Sequence, residues 1–227
     1  MSDPDFIWPK TLEHAREIQE CDSRRVALEP LKKEPVYIAG VDAAFSEYRV
    51  FAAVCLYRYP EMMLVEQATA VKRITFPYVP GYLLFREGPA TIAALHKLKI
   101  KPEVILVDGQ GIAHKRGIGS ASHLGVLLDI PTIGCAKKRL VGEYRMPGEK
   151  KGNWTELKFK THTVGAVLRT RERVRPIFLS PGHRIDLQDA IRITLGCVGK
   201  YRIPEPLRCA DILSKRMKRE CASTRGA

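Results

Sequence analysis

What most constrains the fold is a change of rhythm partway along the chain. Residues 36–45, 49–57 and 63–76 are three β-type runs separated by only a few residues. Such short links are too brief for a crossover, so they predict an antiparallel meander. From residue 103 onward the pattern alternates: a strand at 103–107, a glycine-rich loop at 109–119, a helix at 120–128 and a strand at 131–136. Three antiparallel strands followed by β-α units imply one mixed sheet flanked by helices, a single α/β domain over residues 1–227.

The remaining segments fit around that frame. Residues 9–31 read as a helix, with Leu12, Ala15, Ile18 and Gln19 near one face. Pro77, Pro80 and Gly81 signal a loop before a helix ending near Lys99, with Pro89 in its first turn or at a kink. Lys137 opens a turn, 142–154 is a loop, 161–168 a strand and 176–179 a weaker one. Asp186 and Asp189 come close to a capping box at the start of a further helix. A last helix over 206–218 leads into a basic tail, 218–227, expected to be flexible.

Composition narrows the class. With 45% hydrophobic and 28% charged residues the chain is globular, not disordered. No run approaches the roughly 18 apolar residues of a membrane span, and Met-Ser-Asp-Pro-Asp lacks the pattern of a secretory signal. The six cysteines are scattered with no CxxC pair, which argues against a disulfide framework and a cysteine-pair zinc site. The expectation is a cytoplasmic protein. Its 38 Lys and Arg against 25 Asp and Glu give a net charge of +13. That charge is uneven: residues 137–175 hold twelve basic and four acidic side chains, whereas 1–34 hold six and eight. The imbalance suggests a polyanionic partner, although a solvated basic face is an equally good local explanation.

A few polar residues stand out against their surroundings. Asp42 interrupts the uncharged run Tyr37–Phe45, where an ionised carboxylate is costly unless paired or metal-bound. Asp108 ends Val104–Val107 and precedes Gly109-Gln110-Gly111, a placement that serves equally for a site or a turn. If the two strands pair side by side, both carboxylates converge on a position suited to a hard cation such as Mg²⁺. Glu87 is a candidate third carboxylate, but alone it reads as an exposed helical Glu paired with a neighbouring base. His114 and Lys137 are candidate phosphate partners, each also explicable as a surface group. Pro77-Tyr78-Val79-Pro80-Gly81-Tyr82 is a stiff turn that presents aromatic rings for stacking, or packs them on its own loop. Ser180-Pro181-Gly182-His183 either offers backbone groups to phosphate or caps the following helix. No Walker lysine motif, GxGxxG, HExxH or nucleophile elbow is present.

Together these motifs resemble the endonuclease V family. The matching pieces are Gly40-Val41-Asp42, Pro77–Gly81 with Phe85-Arg86-Glu87-Gly88-Pro89, Val107–Gly111 with Ala113-His114, Ala121–Gly125, Pro131–Gly134 with Ala136-Lys137, and Ser180–His183. They follow the family's order over about residues 36–195. The resemblance implies a ribonuclease H-like fold and Mg²⁺-dependent nicking, with Mn²⁺ as a substitute. Cleavage would fall at the second phosphodiester bond 3′ to deoxyinosine or another deaminated base, leaving 3′-hydroxyl and 5′-phosphate ends. By matching position Asp42, Asp108 and Glu87 would hold the metal, and His114 and Lys137 would assist at the phosphate. Tyr78 would be the DNA wedge, and Gly81, Gly109 and Gly111 would line the base pocket. Two positions depart from the pattern: Lys115 stands where the family commonly has proline, and Cys135 where valine is usual. The expected partner is DNA with a deaminated base, met by a monomer. Inosine-containing RNA as substrate, or a module that binds lesions or branches without cutting, are the competing readings.

Overall fold

The computed structural model describes residues 6–223. Strands β1 (Tyr37–Phe45), β2 (Arg49–Arg58) and β3 (Met63–Arg73) form the expected antiparallel meander. Helix α2 (Leu83–Leu95) then leads to β4 (Val104–Val107), helix α3 (Ser120–Leu128) and β5 (Thr132–Ala136). Both β1–β4 and β4–β5 pair in parallel. Strands β6 (Trp154–Phe159), β7 (His162–Leu168) and β8 (Ile177–His183) complete one eight-stranded sheet in the order β3-β2-β1-β4-β5-β8-β7-β6. Helices α1 (Leu12–Ser23), α4 (Leu187–Gly196) and α5 (Glu205–Ser223) finish the chain's regular structure. The mixed α/β architecture is as the rhythm of the sequence predicts.

The central strands are buried on both faces, which is why β2 reads as a nearly unbroken apolar run instead of alternating. On one face Ala39, Val41, Ile105 and Val107 pack with Leu84 of α2 and Leu124 of α3. On the other, Ile38, Val104 and Leu106 pack with Ile191 of α4 and Leu207 of α5. No helix among the described residues is long and apolar enough to cross a membrane.

Several boundaries differ from the sequence-based expectations, each for a tertiary reason. Helix α1 stops at Ser23 instead of continuing to Leu31, because the following backbone bonds elsewhere. The Ala27 amide donates to His183 Nδ1 and the Leu31 amide to the Asp189 carboxylate. Strand β6 was missed inside a polar stretch; as an edge strand it buries little beyond Leu157. Pro89 lies inside α2, not in its first turn. Residues 218–223, expected as flexible tail, continue α5; residues 224–227 lie outside the described region. Ser180–His183 does not cap the following helix, whose N-cap is Asp186, but forms the buried second half of β8. Since β8 runs antiparallel to β5, its His183 end lies away from the carboxyl ends of β4 and β5.

Candidate active site

Parallel pairing sets Val41 beside Val107, so the next residue of each strand is a carboxylate: Asp42 in β1, Asp108 just past β4. The carboxyl end of a parallel strand pair is where open α/β sheets place ligands. Helix α2 brings Glu87 to the same end. All three residues line a cavity of about 20 Å³, with Thr91 and the apolar Val41, Leu84 and Leu124 as further walls. That volume holds little more than one water-sized sphere. Glu87 is therefore not the exposed, paired helical residue that its local sequence suggests.

The carboxylates penalise one another. Burial pushes Glu87 up to about 8, and the charges of Asp42 and Asp108 add to the shift. Burial also pushes Asp42 up to about 6. There the Ser214 hydroxyl, donating to Asp42 Oδ2 at 2.8 Å, works in the opposite direction, while Asp108 and Asp211 raise it further. Lys137 supplies positive charge, its Nζ donating to Asp108 Oδ2 at 2.5 Å. Burial disfavours the ammonium, yet the bond to Asp108 outweighs it and the Lys137 pKa is raised. A surplus of anionic oxygen around a small cavity is the condition that recruits a hard cation.

No three of the described His, Cys, Asp and Glu side chains form a ready-made metal cage. The physical reason is the pleat: Asp42 shares the α5-facing side of β1 with Ile38 and Gly40, whereas Glu87 belongs to α2 on the opposite face. Mg²⁺ does not require such a cage, since it is commonly held by one or two carboxylates and retains several waters. The oxygen-only donor set fits that ion.

The Pro77–Tyr82 turn leads directly into α2, whose Leu84 and Glu87 line the cavity, and presents Tyr78, 68% exposed. The turn is braced at Gly81, where φ is +87° and a Cβ would meet His114 Nε2 at 2.8 Å. The Gly81 carbonyl accepts from Gln19 Nε2 at 2.8 Å and from His114 Nε2 at 3.0 Å. His114 Nδ1 in turn accepts from the Arg116 amide at 3.2 Å. Burial, with the nearby Arg116 charge, lowers the His114 pKa to about 4, so the ring is neutral at pH 7. His114 thus holds the turn through the Gly81 carbonyl.

The three glycines named for the base pocket also separate. Gly81 sits on the exposed turn. Gly109 is half-buried, and a Cβ there meets only ordinary contacts, the nearest being Ser120 Cβ at 3.4 Å. Gly111 is buried against β8: its amide donates to Ser180 Oγ at 2.7 Å and its carbonyl accepts from the Gly119 amide at 2.9 Å. Its polar groups are thus already used inside the protein.

Sequence reasoning missed Ser214 and Asp211 of α5, and Gln19 of α1. The first two lie about 170 residues beyond Asp42 in sequence and look like ordinary members of an amphipathic helix. Gln19 was noticed only as part of a helical face; its burial at 2% exposure next to Gly81 has no local signal.

A mixed sheet that offers carboxylates at the ends of its central parallel strands, joined by a third from a flanking helix, defines a ribonuclease H-like nuclease. The family model described as endonuclease V matches residues 20–212. The chain belongs to the endonuclease V family. It is 49% identical over 213 residues to endonuclease V of Nostoc punctiforme, covering 92% of this chain and 96% of the relative. Among solved structures, endonuclease V from Streptomyces avermitilis superposes with a TM-score of 0.91 at 43% identity, covering 95% of this chain and 96% of that one. Endonuclease V from Ciona intestinalis, in complex with a 24mer DNA containing an inosine followed by a ribo-adenosine, gives 0.83 at 29% identity, covering 94% and 100%.

Proposed function

We propose that this protein nicks DNA at the second phosphodiester bond 3′ to deoxyinosine or another deaminated base, leaving 3′-hydroxyl and 5′-phosphate ends, in a repair role. The observation that carries the reading is the convergence of Asp42, Glu87 and Asp108 on one small cavity, with an exposed, braced tyrosine turn leading into the helix that supplies Glu87. Asp42 and Asp108 would hold Mg²⁺, or Mn²⁺ in its place, with Glu87 completing the acidic set. Held by these carboxylates, Mg²⁺ would supply an acidified water and positive charge for the reacting phosphate.

The chain's own groups do the rest. Lys137 Nζ, which donates to Asp108 in the free protein, would donate to a phosphate oxygen of bound substrate. Ser214 orients Asp42 through Oδ2 and favours its ionised form against the burial that raises its pKa. Tyr78 fills the space left by an extruded base, offsetting part of an unstacking cost of a few kcal/mol. His114 and Gln19 keep the Gly81 carbonyl fixed so that the turn does not deform under that load. Gly81 and Gly109 offer backbone atoms to the base.

The test is incubation of a duplex carrying one deoxyinosine with protein and Mg²⁺, with the products mapped to single-nucleotide precision. A single nick at the stated bond is expected; intact substrate, or a nick that Asp42→Ala leaves undiminished, overturns the reading. A second reading, cleavage of inosine-containing RNA, draws support from the relative bound to inosine followed by a ribonucleotide. Matched DNA and RNA strands cleaved side by side distinguish the two through the 2′-hydroxyl.

A further inference from the structure

Away from the carboxylates, the β2–β3 pair does something a sheet ordinarily avoids. Arg49 stands directly opposite Arg73, and Val50 opposite Lys72. Like charges facing one another across strands are destabilising. Several arginines elsewhere are paired with carboxylates, as Arg184 is with Glu29 and Asp129, Arg192 with Glu34 and Asp189, and Arg208 with Glu205. Among the described residues no carboxylate forms an ion pair with Arg49, Lys72 or Arg73. Arg49 Nη1 instead reaches the Cys221 sulfur of α5 at 3.5 Å. These three cations line a cleft of about 600 Å³ together with Val71 and Tyr48. Tyr48 is 59% exposed, and its hydroxyl donates to Glu47 at 2.5 Å.

The cleft is also well placed. Asp42 pairs with Ala53, and along β2 residues 53, 51 and 49 share one face, with Arg73 opposite Arg49 on that same face. The arginine pair thus lies on the Asp42 side of the sheet, at the same end. Four residues at ~3.4 Å each put it on the order of 14 Å from Asp42, or about four nucleotides along one strand at ~3.4 Å apiece. Helix α5 spans the interval, touching Asp42 through Ser214 and Arg49 through Cys221.

We propose that Arg49 and Arg73 form a second nucleic-acid subsite that takes a backbone phosphate several nucleotides from the scissile bond, with the Tyr48 ring against the adjacent sugar or base. The position along the strand rests on the nuclease reading above; the binding of nucleic acid does not. An anion between the two arginines relieves their repulsion, and the exposed ring beside them supplies a stacking surface.

Fluorescence anisotropy on a labelled inosine duplex, and on the same duplex with guanine instead, tests this across a salt series. The Arg49→Gln/Arg73→Gln variant should lose about tenfold in affinity for both duplexes. Its slope of log K against log salt should shrink by about 0.9, the contribution of one phosphate contact. Single-turnover nicking at saturating protein should be unchanged, and the Tm should equal or exceed that of wild type because a like-charge pair is gone. Tyr48→Ala should lose affinity with the slope retained. Unchanged affinity and slope in the double variant, or a loss confined to the inosine duplex, overturns the subsite.

Should the double variant melt early, methylphosphonate scanning with wild-type protein decides: one neutralised phosphate several nucleotides from the lesion must weaken binding, and none doing so overturns the proposal. Wild type that binds both duplexes with a variant-sensitive slope yet never nicks leaves the subsite standing and removes the nuclease reading. Nicking with an insensitive slope does the reverse, and wild type that binds neither duplex removes both.

Discussion

At the scale of single residues, the cavity stores electrostatic cost that a cation would release. Glu87 and Asp42 hold protons up to about 8 and about 6, above the ordinary carboxylate range near 4. Both folded values are raised, so the folded metal-free protein binds more protons than the unfolded chain between about pH 4 and 8. Its stability from these groups is therefore full below that window and lost as pH rises through it. Thermal melts without metal should show a falling Tm between pH 5 and 8.5. Added Mg²⁺ should restore more stability at pH 8.5 than at pH 5, because metal and proton compete for the same oxygens. Glu87→Gln should stabilise the metal-free protein at pH 8.5, by about 1 kcal/mol, and abolish nicking. A Glu87→Gln protein that melts earlier than wild type at that pH contradicts the account. These pKa shifts were not readable from sequence, since Glu87 looks solvated until α2 is laid against the strand ends.

At the scale of elements, two helices distant in sequence prepare the site. Helix α5 delivers Ser214 to Asp42, so Ser214→Ala should raise the Asp42 pKa further and move the acidic limb of the nicking profile to higher pH. An unshifted limb would show that the hydroxyl has no such influence. Helix α1 delivers Gln19 to the tyrosine turn, and Gly81 adopts a φ of +87° that costs a side-chain-bearing residue about 1–2 kcal/mol. Gly81→Ala should therefore raise KM for inosine duplexes more than it lowers kcat, with Tyr78→Ala acting the same way. Equal effects on unmodified and inosine DNA binding would detach the turn from base recognition. The turn itself was legible as a stiff Pro-Gly segment with an outward tyrosine; its bracing from α1 and His114 was not.

At the scale of the whole molecule, the net charge of +13 is unevenly spread, with residues 137–175 the most basic stretch. Strands β5, β7 and β8 bring the two ends of that stretch, Lys137 and Arg169–Arg175, to the sheet end that carries Asp42 and Asp108. Non-specific affinity for duplex DNA should fall steeply with salt, since each neutralised phosphate contributes ~0.9 to the slope. Charge reversal at Lys150 and Lys151 should reduce that slope while leaving single-turnover nicking at saturation intact. A salt-independent affinity would remove the basic face from the binding account.

The division between what the sequence determined and what folding decided follows the range of the interactions involved. Strand rhythm, the glycine loop and an Asp stranded in an apolar run are local patterns, and from them come the mixed sheet and two of the carboxylates. Which groups meet is a matter of register and packing. Parallel pairing of Val41 with Val107 sets Asp42 beside Asp108, and α2 turns an apparently solvated Glu87 inward. Helix α5 closes over Asp42 from the far end of the chain. Contacts across so many residues leave no periodicity to read, because they are chosen by the burial of whole faces and not by the order of neighbours along the backbone.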